Sequence, residues 1–136
     1  MTYIIWGPPG SGKTTYAKLN MTDGDIIIDF DLLCVALTGM DSHKYEESLR
    51  DRIEGVREFL LNTCLAYPEI RHTWITVCRP RTVTRYLSHA NVEKRLMPTP
   101  ERECIRRCVY RGGEFTHWQR IVKKWFEEFG DEVPAE

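Results

Sequence analysis

The sequence predicts a three-layer α/β/α fold, in which helices cover both faces of a short parallel sheet of about four strands. Two observations indicate it. Short apolar runs alternate with segments of helical periodicity, and a glycine-rich loop stands between the first run and the helix after it. The chain has 136 residues, which suits one domain with a single core. Each crossover between parallel strands should be right-handed.

The first part of the chain is expected to supply two strands and two helices. Tyr3–Trp6 is almost wholly apolar, as a central strand buried on both faces should be. After the glycine-rich loop, a helix is predicted to begin near Lys13. The apolar run Ile26–Ile28 is predicted to form the second strand, and Leu32–Leu37 a short helix.

A long amphipathic helix and a third strand follow. Between residues 44 and 67, apolar side chains recur every three or four positions, so we predict one helix there, ended by Pro68. Trp74–Cys78 is rich in residues that favour strands and is predicted as the third strand. Residues 80–89 are predicted to be helical, and Val92–Met97 to form the fourth strand.

Two helices are expected to complete the fold. Thr99 should cap a helix that starts at Pro100 and ends at Gly112-Gly113. The final helix carries a core-facing stripe made of Phe115, Trp118, Ile121, Val122, Trp125, Phe126 and Phe129. We therefore expect one domain over residues 1–129, followed by a frayed acidic tail over residues 130–136.

Composition favours a globular protein of the cytoplasm. Hydrophobic residues make up 42% of the chain, yet no stretch is long and apolar enough for a membrane span, and the first predicted strand follows Met1 too closely for a signal peptide. The five cysteines include no C-x-x-C pair and are expected to be buried thiols. The four histidines lack metal-binding spacing and are expected to be ordinary surface residues.

The glycine-rich loop carries the most specific motif of the sequence. Residues 7–14 read GPPGSGKT, which fits the phosphate-binding motif G-x-x-x-x-G-K-[ST] at every fixed position. The backbone N–H groups of such a loop bind the phosphates of a nucleoside triphosphate. Lys13 is expected to bridge the β- and γ-phosphates, and the Thr14 hydroxyl to bind Mg²⁺. Nucleotide contacts are predicted at Gly7, Pro8, Pro9, Gly10, Ser11, Gly12, Lys13, Thr14 and Thr15. ATP is the expected nucleotide, with GTP as an alternative.

Two carboxylates follow the second strand. Asp29 and Asp31 stand where that strand leaves the sheet, beside the phosphate-binding loop. One acid is expected to hold a magnesium-bound water, and the other to accept the proton of an attacking hydroxyl. Capping of the helix that begins at Leu32 is the structural alternative for Asp31.

The third strand ends in basic rather than acidic residues. A hydrolytic motor would need acids there to polarise water, and Val77-Cys78-Arg79 contains none, so a motor is disfavoured. We predict instead that Arg79, Arg81 and Arg85 bind an anionic acceptor. Exposed loop arginines without a ligand are the alternative.

A second basic cluster precedes the glycine pair. Arg107 and Arg111 stand four residues apart and therefore share one helix face. We predict that they close over the triphosphate as part of a lid over about residues 105–115, with Gly112-Gly113 as its hinge. A surface ion pair between Glu103 and Arg107 is the alternative.

These motifs resemble those of small P-loop kinases of the phage polynucleotide 5′-hydroxyl kinase type and of the zeta-toxin-like kinases. The segments GPPGSGKTTYAK, IIIDFDLL and ECIRRCVYRGG are similar to that group's nucleotide loop, strand-two aspartate motif and lid. The compact chain also looks like the small ATP-binding proteins that phages encode. The resemblance implies a P-loop NTPase fold with strand order 2-3-1-4, the use of ATP and Mg²⁺, and catalytic roles for Lys13, Asp29, Asp31, Arg107 and Arg111.

The resemblance also favours particular roles within the site. It favours Asp31 as the base that activates the acceptor and Asp29, with Thr14, at the metal. The group usually carries an arginine shortly after the base, which holds an acceptor phosphate, whereas Leu32, Leu33 and Cys34 follow here. Arg79 and Arg81 would have to replace that contact.

The function predicted from these features is transfer of the γ-phosphoryl group of ATP to a hydroxyl, with a nucleic-acid 5′ end as the favoured acceptor. Residues 71–111 carry ten Lys or Arg against three Asp or Glu, which suits a polyanionic partner. Two alternatives stay open. One is a kinase for a nucleoside, nucleotide or sugar-nucleotide. The other is a nucleotide-binding regulatory or assembly module with little or no transfer.

Overall fold

The four predicted strands form one parallel sheet in the order β2-β3-β1-β4. A computed structural model describes residues 1–41, 46–64, 70–87 and 91–134. In it the strands are β1 Thr2–Trp6, β2 Ile26–Ile28, β3 Thr73–Val77 and β4 Val92–Leu96. All three strand pairs are parallel, so the predicted sheet and its strand order are confirmed.

The two central strands are the most buried, because helices cover both of their faces. Ile4 and Ile5 of β1 and Ile75 of β3 are fully buried, and Ile4 pairs in register with Ile75. The edge strand β4 instead carries charged residues, which protect an exposed sheet edge from pairing with other chains. Because all four strands are parallel, their carboxyl ends lie along one rim of the sheet.

Five α-helices join and cover the strands among the described residues. They are α1 Lys13–Asn20, α2 Phe30–Thr38, α3 Arg50–Cys64, α4 Glu101–Tyr110 and α5 Phe115–Phe129. On one face of the sheet, Leu61 of α3 and Trp125 of α5 pack against the strands. On the other face, Ala17 of α1 packs against Ile5 and Trp74.

The long helix predicted from residue 44 begins later than expected. A single 3₁₀ turn over Glu47–Leu49 precedes α3, which starts at Arg50. Helical periodicity does not distinguish such a turn from the first turn of an α-helix, since both place side chains three residues apart. Residues 44–45 and 65–68, including the predicted stop at Pro68, lie outside the described residues.

The helix predicted over residues 80–89 is wrong. Residues 80–87 form two 3₁₀ turns, Pro80–Thr82 and Thr84–Tyr86, rather than an α-helix. The hydroxyls of both threonines, Thr82 and Thr84, bond to backbone carbonyls three residues earlier and thereby compete with helical bonding. Residues 88–89, the end of that predicted helix, lie outside the described residues.

The cap of α4 also differs from the prediction. Pro100 is the N-cap residue and provides no side-chain bond, while the Thr99 hydroxyl donates instead to the carbonyl oxygen of Ser11 at 2.8 Å. Thr99 therefore ties the segment after β4 to the phosphate-binding loop.

The predicted core stripe of α5 is largely confirmed. Trp118, Val122 and Trp125 are buried, whereas Phe115 is 54% exposed because it lies at the first residue of the helix. Residues 130–132 form a 3₁₀ turn rather than a frayed tail, and Val133 packs against the core.

The cysteines behave as small apolar residues, as predicted. All five are free thiols, and Cys34, Cys104 and Cys108 are buried. Burial raises the pKa of the Cys104 thiol to about 12, so the neutral form persists at physiological pH. None of the helices among the described residues combines the length and apolar character needed to cross a membrane.

Candidate nucleotide and acceptor site

The phosphate-binding loop connects β1 to α1 at the rim where the strands end. Gly10 (φ 80°) and Gly12 (φ 92°) have left-handed backbone conformations that favour glycine, and Gly12 is the N-cap residue of α1. The loop thereby directs the N-terminus of α1 toward its own concave side, where a helix dipole favours an anion. The predicted context of the motif, strand then loop then helix, is confirmed.

Lys13 lies inside the curve of this loop. Its ammonium group donates to the carbonyl oxygens of Gly7 at 3.1 Å and Pro8 at 2.9 Å, and contacts the Cys78 sulfur at 3.8 Å. The Ser11 hydroxyl is buried beside it and has no hydrogen-bond partner among the described residues. Buried polar groups without partners are costly in a folded protein, and they concentrate at functional sites.

Helix α4 packs directly against the loop at Gly10. A Cβ added there would lie 2.5 Å from the carbonyl oxygen of Cys104 and 2.9 Å from the sulfur of Cys108. Only a residue without a side chain allows this approach. The contact holds the N-terminal half of α4 against the phosphate-binding loop.

We expect Gly10→Ala to destabilise the protein by about 1–3 kcal/mol, because the new methyl group meets backbone as well as a left-handed φ. Urea unfolding monitored by tryptophan fluorescence measures the change. Gly39→Ala is the matched control, since Gly39 has a φ of 68° but nothing within 4 Å of an added Cβ. Equal destabilisation in both variants would show that backbone strain alone, not the α4 contact, sets the cost.

Asp29 is buried and makes three hydrogen bonds. Its Oδ2 accepts from the Thr14 hydroxyl at 2.5 Å and from the Thr76 hydroxyl at 2.6 Å, while its Oδ1 accepts from the Leu32 N–H at 2.9 Å. The last bond makes Asp29 the N-cap of α2. Capping by Asp31 was therefore the wrong alternative, because α2 begins at Phe30, two residues earlier than predicted.

Thr14 and Asp29 fit the chemistry of a magnesium site. Mg²⁺ prefers hard oxygen ligands, and these residues join a hydroxyl and a carboxylate at the edge of the phosphate-binding loop. No group of three or more metal-binding side chains occurs in the described parts of the chain.

Asp31 lies in the first turn of α2 and is half-buried. It lines a cavity of about 950 Å³ together with Lys13, Thr14 and Asp29. The two carboxylates predicted to act together therefore share one cavity with the phosphate-binding loop, but they differ in setting. Asp29 is buried and makes three hydrogen bonds, whereas Asp31 is half-buried at the wall of the cavity.

The predicted lid arginines lie beside the loop. The Arg107 guanidinium bonds to Glu103 at 2.9 Å and approaches the carbonyl oxygen of Gly10 at 3.4 Å. Hydrogen bonds from Arg106 and Arg107 lower the pKa of Glu103 to about 2. The ion pair considered as the alternative is thus present, and Arg107 nevertheless reaches the loop. Arg111 is exposed at the end of α4, where it lines the cavity of about 950 Å³ that also contains Asp31.

The two glycines after α4 differ in their surroundings. Gly112 adopts a left-handed φ of 97° and has nothing within 4 Å of an added Cβ. At Gly113 an added Cβ would overlap the Trp118 ring, which packs there. The second glycine of the predicted hinge is therefore required by close packing in this structure.

The three arginines predicted to bind the acceptor are only partly brought together. Arg79 lines the large cavity and pairs with Glu128 at 2.9 Å. Arg81 also pairs with Glu128, and Arg85 pairs with Glu58 at 3.2 Å. In the described structure, neither Arg81 nor Arg85 lines a cavity at the loop.

Helix α3 contributes residues that the sequence analysis did not select. Arg50, Glu54 and Arg57 lie on one helix face at steps of four and three, and all three line the large cavity. Helix α3 packs against α2, and burial and then the charges of Asp31, Asp29 and Glu54 raise the pKa of the Cys34 thiol to about 11.

A second cavity, of about 610 Å³, lies on the opposite side of the loop. Tyr16, Leu19, Met97 and Tyr110 form much of its lining, and Leu19 and Tyr110 are 80% and 86% exposed. Gly10, Gly12, Thr15 and Arg111 line both cavities. The phosphate-binding loop therefore borders both a mostly apolar cavity, whose lining also includes Arg106 and Arg107, and a charged one. His117, predicted to be an ordinary surface residue, is exposed at the wall of the charged cavity.

The strand order and the loop together define the fold of P-loop kinases. The structure is similar to a chain of the Pnkp1/Rnl/Hen1 RNA repair complex, with a TM-score of 0.66 and 19% identity over 94% of this chain and 45% of that one. A second Pnkp1/Rnl/Hen1 structure gives a TM-score of 0.60 and 21% identity over 79% and 38%. Shikimate kinase from Bacteroides thetaiotaomicron gives 0.60 and 14% over 96% and 79%.

At these identities the likeness is one of fold. The chain spans less than half the length of the chains that it matches in the RNA repair complex. Neither a protein-family model nor the sequence of a curated protein matches this chain.

Proposed function

We propose that the protein is an ATP-dependent phosphotransferase that moves the γ-phosphoryl group to a hydroxyl, with a nucleic-acid 5′ end as the favoured acceptor. The observation that carries the proposal is the pairing of two differently held aspartates beside one phosphate-binding loop. Asp29 is fixed by Thr14, Thr76 and the backbone, and Asp31 faces the open cavity.

The donor nucleotide would span the loop. Its phosphates would lie along residues 7–15, with Lys13 exchanging its bonds to loop carbonyls for bonds to phosphate oxygens. Its base would occupy the apolar cavity between Leu19 and Tyr110, whose exposed side chains offer flat apolar contact. ATP is the proposed donor, with GTP as the alternative.

Thr14 and Asp29 would hold Mg²⁺, which supplies neutralisation of phosphate charge when bound. Asp31 would accept the proton of the attacking hydroxyl, because it lines the cavity proposed for the acceptor and is less buried than Asp29. Arg107 and Arg111 would stabilise charge that develops on the transferred group. The approach of Arg107 to the Gly10 carbonyl and the position of Arg111 at the cavity wall support this role for residues 105–115.

The acceptor would lie in the charged cavity of about 950 Å³, between Asp31 and Arg79. The likeness in fold between this protein and a chain from an RNA repair complex supports a nucleic-acid acceptor, as does the basic segment 71–111. A kinase for a small molecule and a regulatory nucleotide-binding module are the competing functions.

Incubation with γ-labelled ATP, Mg²⁺ and a panel of acceptors distinguishes these functions. The panel contains a 5′-hydroxyl oligonucleotide, nucleosides, nucleoside monophosphates and a reaction without acceptor. We expect label on the oligonucleotide. Label only on a nucleoside or nucleotide would favour the small-molecule kinase, and label on no acceptor would contradict phosphotransfer altogether.

A further inference from the structure

A stripe of charged side chains on α3 and on the 3₁₀ turn before it lines the same cavity as the phosphate-binding loop. The proposed transfer gives this stripe no role. Glu47, Arg50, Glu54 and Arg57 succeed one another along one side of the 3₁₀ turn and helix, and all four line the large cavity. Arg57 is the least exposed of the cavity's paired arginines, with 14% of its side chain accessible, against 58% for Arg50 and 30% for Arg79.

The ion pairs within this stripe are loose. Arg57 approaches Glu54 at 3.4 Å and Arg50 approaches Glu47 at 3.5 Å, beyond the usual 2.7–2.9 Å of a charge-assisted hydrogen bond. By contrast, Arg79 pairs with Glu128 at 2.9 Å. A guanidinium carries five N–H donors, and Glu54 is the one charged partner of Arg57 within the described residues. Most of its donors are therefore available to a ligand.

The position of Arg57 is tied to the acceptor side of the site. The neighbouring Glu58 pairs with Arg85 at 3.2 Å, which joins this turn of α3 to the segment that follows β3. Glu54, one turn earlier, lines the same cavity as Asp29 and Asp31. Arg57 thus lines one cavity with the two aspartates and with Arg79, which follows β3.

Resting on the proposed function, we infer that Arg57, with Arg50 at its outer edge, forms an anion subsite that holds a phosphate of the acceptor near its reacting hydroxyl. In a nucleic-acid end, this is the phosphate on the 3′ side of the terminal nucleoside. A half-buried arginine in a cleft suits phosphate because its planar donors bind two oxygens at once.

Equilibrium binding tests this subsite without relying on turnover. Calorimetry is performed with Mg²⁺ and a saturating ATP analogue whose γ-phosphate does not transfer, so that the phosphate-binding loop is filled. Two ligands are compared, a nucleoside and the same nucleoside carrying a 3′-phosphate. We expect the phosphorylated ligand to bind about tenfold more tightly or better, as charge-assisted hydrogen bonds to one phosphate allow.

Three variants make the test specific. Arg57→Gln is expected to abolish the preference for the phosphorylated ligand. Glu54→Gln, which removes the competing carboxylate, is expected to increase that preference severalfold. Arg52→Gln on the exposed side of the same helix is the matched control and should retain the preference of the unmodified protein.

A preference that persists in Arg57→Gln, or that is absent from the unmodified protein, would overturn the subsite. If the binding preference depends on Arg57 but no acceptor receives label from ATP, the proposed phosphotransfer fails and the subsite stands. If label reaches an acceptor but the preference does not depend on Arg57, the proposed function stands and the subsite fails.

Discussion

Lys13→Met is expected to lower phosphoryl transfer by about 10³-fold, because it removes a fixed cation from the place where phosphate charge develops. Methionine retains much of the length of the side chain but carries no donor. The folded protein should lose only about 1 kcal/mol, since among the described residues the ammonium bonds to the carbonyls of Gly7 and Pro8 and, weakly, to the Cys78 sulfur. Transfer rates and urea unfolding, measured on the same preparation, give the two quantities.

Lys18→Met is the control for Lys13→Met. Lys18 lies in the last turn of the same helix and is exposed, so its loss should change neither transfer nor stability appreciably. Transfer by Lys13→Met within tenfold of the unmodified rate would mean that the triphosphate does not bind in this loop in the manner proposed. A large loss of stability would instead assign Lys13 a mainly structural role.

Asp31→Asn is expected to reduce transfer by about 10²- to 10⁴-fold while ATP affinity stays nearly unchanged, because the amide cannot accept the proton of the attacking hydroxyl. Asparagine has almost the same shape as aspartate, so the cavity should keep its form. Single-turnover transfer at saturating ATP, paired with direct measurement of ATP binding, separates the chemical step from nucleotide affinity.

Asp23→Asn, in the exposed turn before β2, serves as the control for the loss of one carboxylate. Unchanged transfer in Asp31→Asn would remove the base role from that residue. Asp29 would then be the remaining carboxylate beside the loop, although its three hydrogen bonds occupy both of its oxygens. A parallel loss of ATP affinity would indicate that Asp31 acts on the nucleotide rather than on the acceptor.

The sheet could be predicted from the sequence because its physical signals are local. Buried parallel strands require apolar runs such as Tyr3–Trp6, and the phosphate-binding loop requires glycines at set positions. The boundaries of the helices were harder to predict from the sequence. Starting α2 at Phe30 rather than Leu32 moved the cap from Asp31 to Asp29, a shift of two residues that changed the interpretation of both acids.

The donor side of the candidate site followed from the loop motif, but the acceptor side did not. Arg50, Glu54 and Arg57 were visible as a polar helix face, and such a face is usually solvated rather than turned to a cavity. Only the packing of α3 beside α2 and the end of β3 distinguishes these cases. Likewise Arg81 and Arg85 follow β3 in sequence, yet they pair with Glu128 and Glu58 and do not line the cavity.

The apolar cavity next to the loop was also missed. Leu19 and Tyr110 belong to different helices, and each would count as an unremarkable exposed side chain in the sequence. They become a candidate base-binding surface only because Gly10 and Thr99 hold the segment from β4 to α4 against the loop. Such a long-range approach leaves no periodic signal in the sequence.

The partition of label between acceptor and water tests the central claim most directly. In a reaction with γ-labelled ATP, Mg²⁺ and a 5′-hydroxyl oligonucleotide, the label on the oligonucleotide is compared with the label released as free phosphate. The proposed kinase should place most of the label on the oligonucleotide, and Asp31→Asn should abolish that product. Release of free phosphate at the same rate with and without acceptor, and no labelled oligonucleotide, would contradict the account.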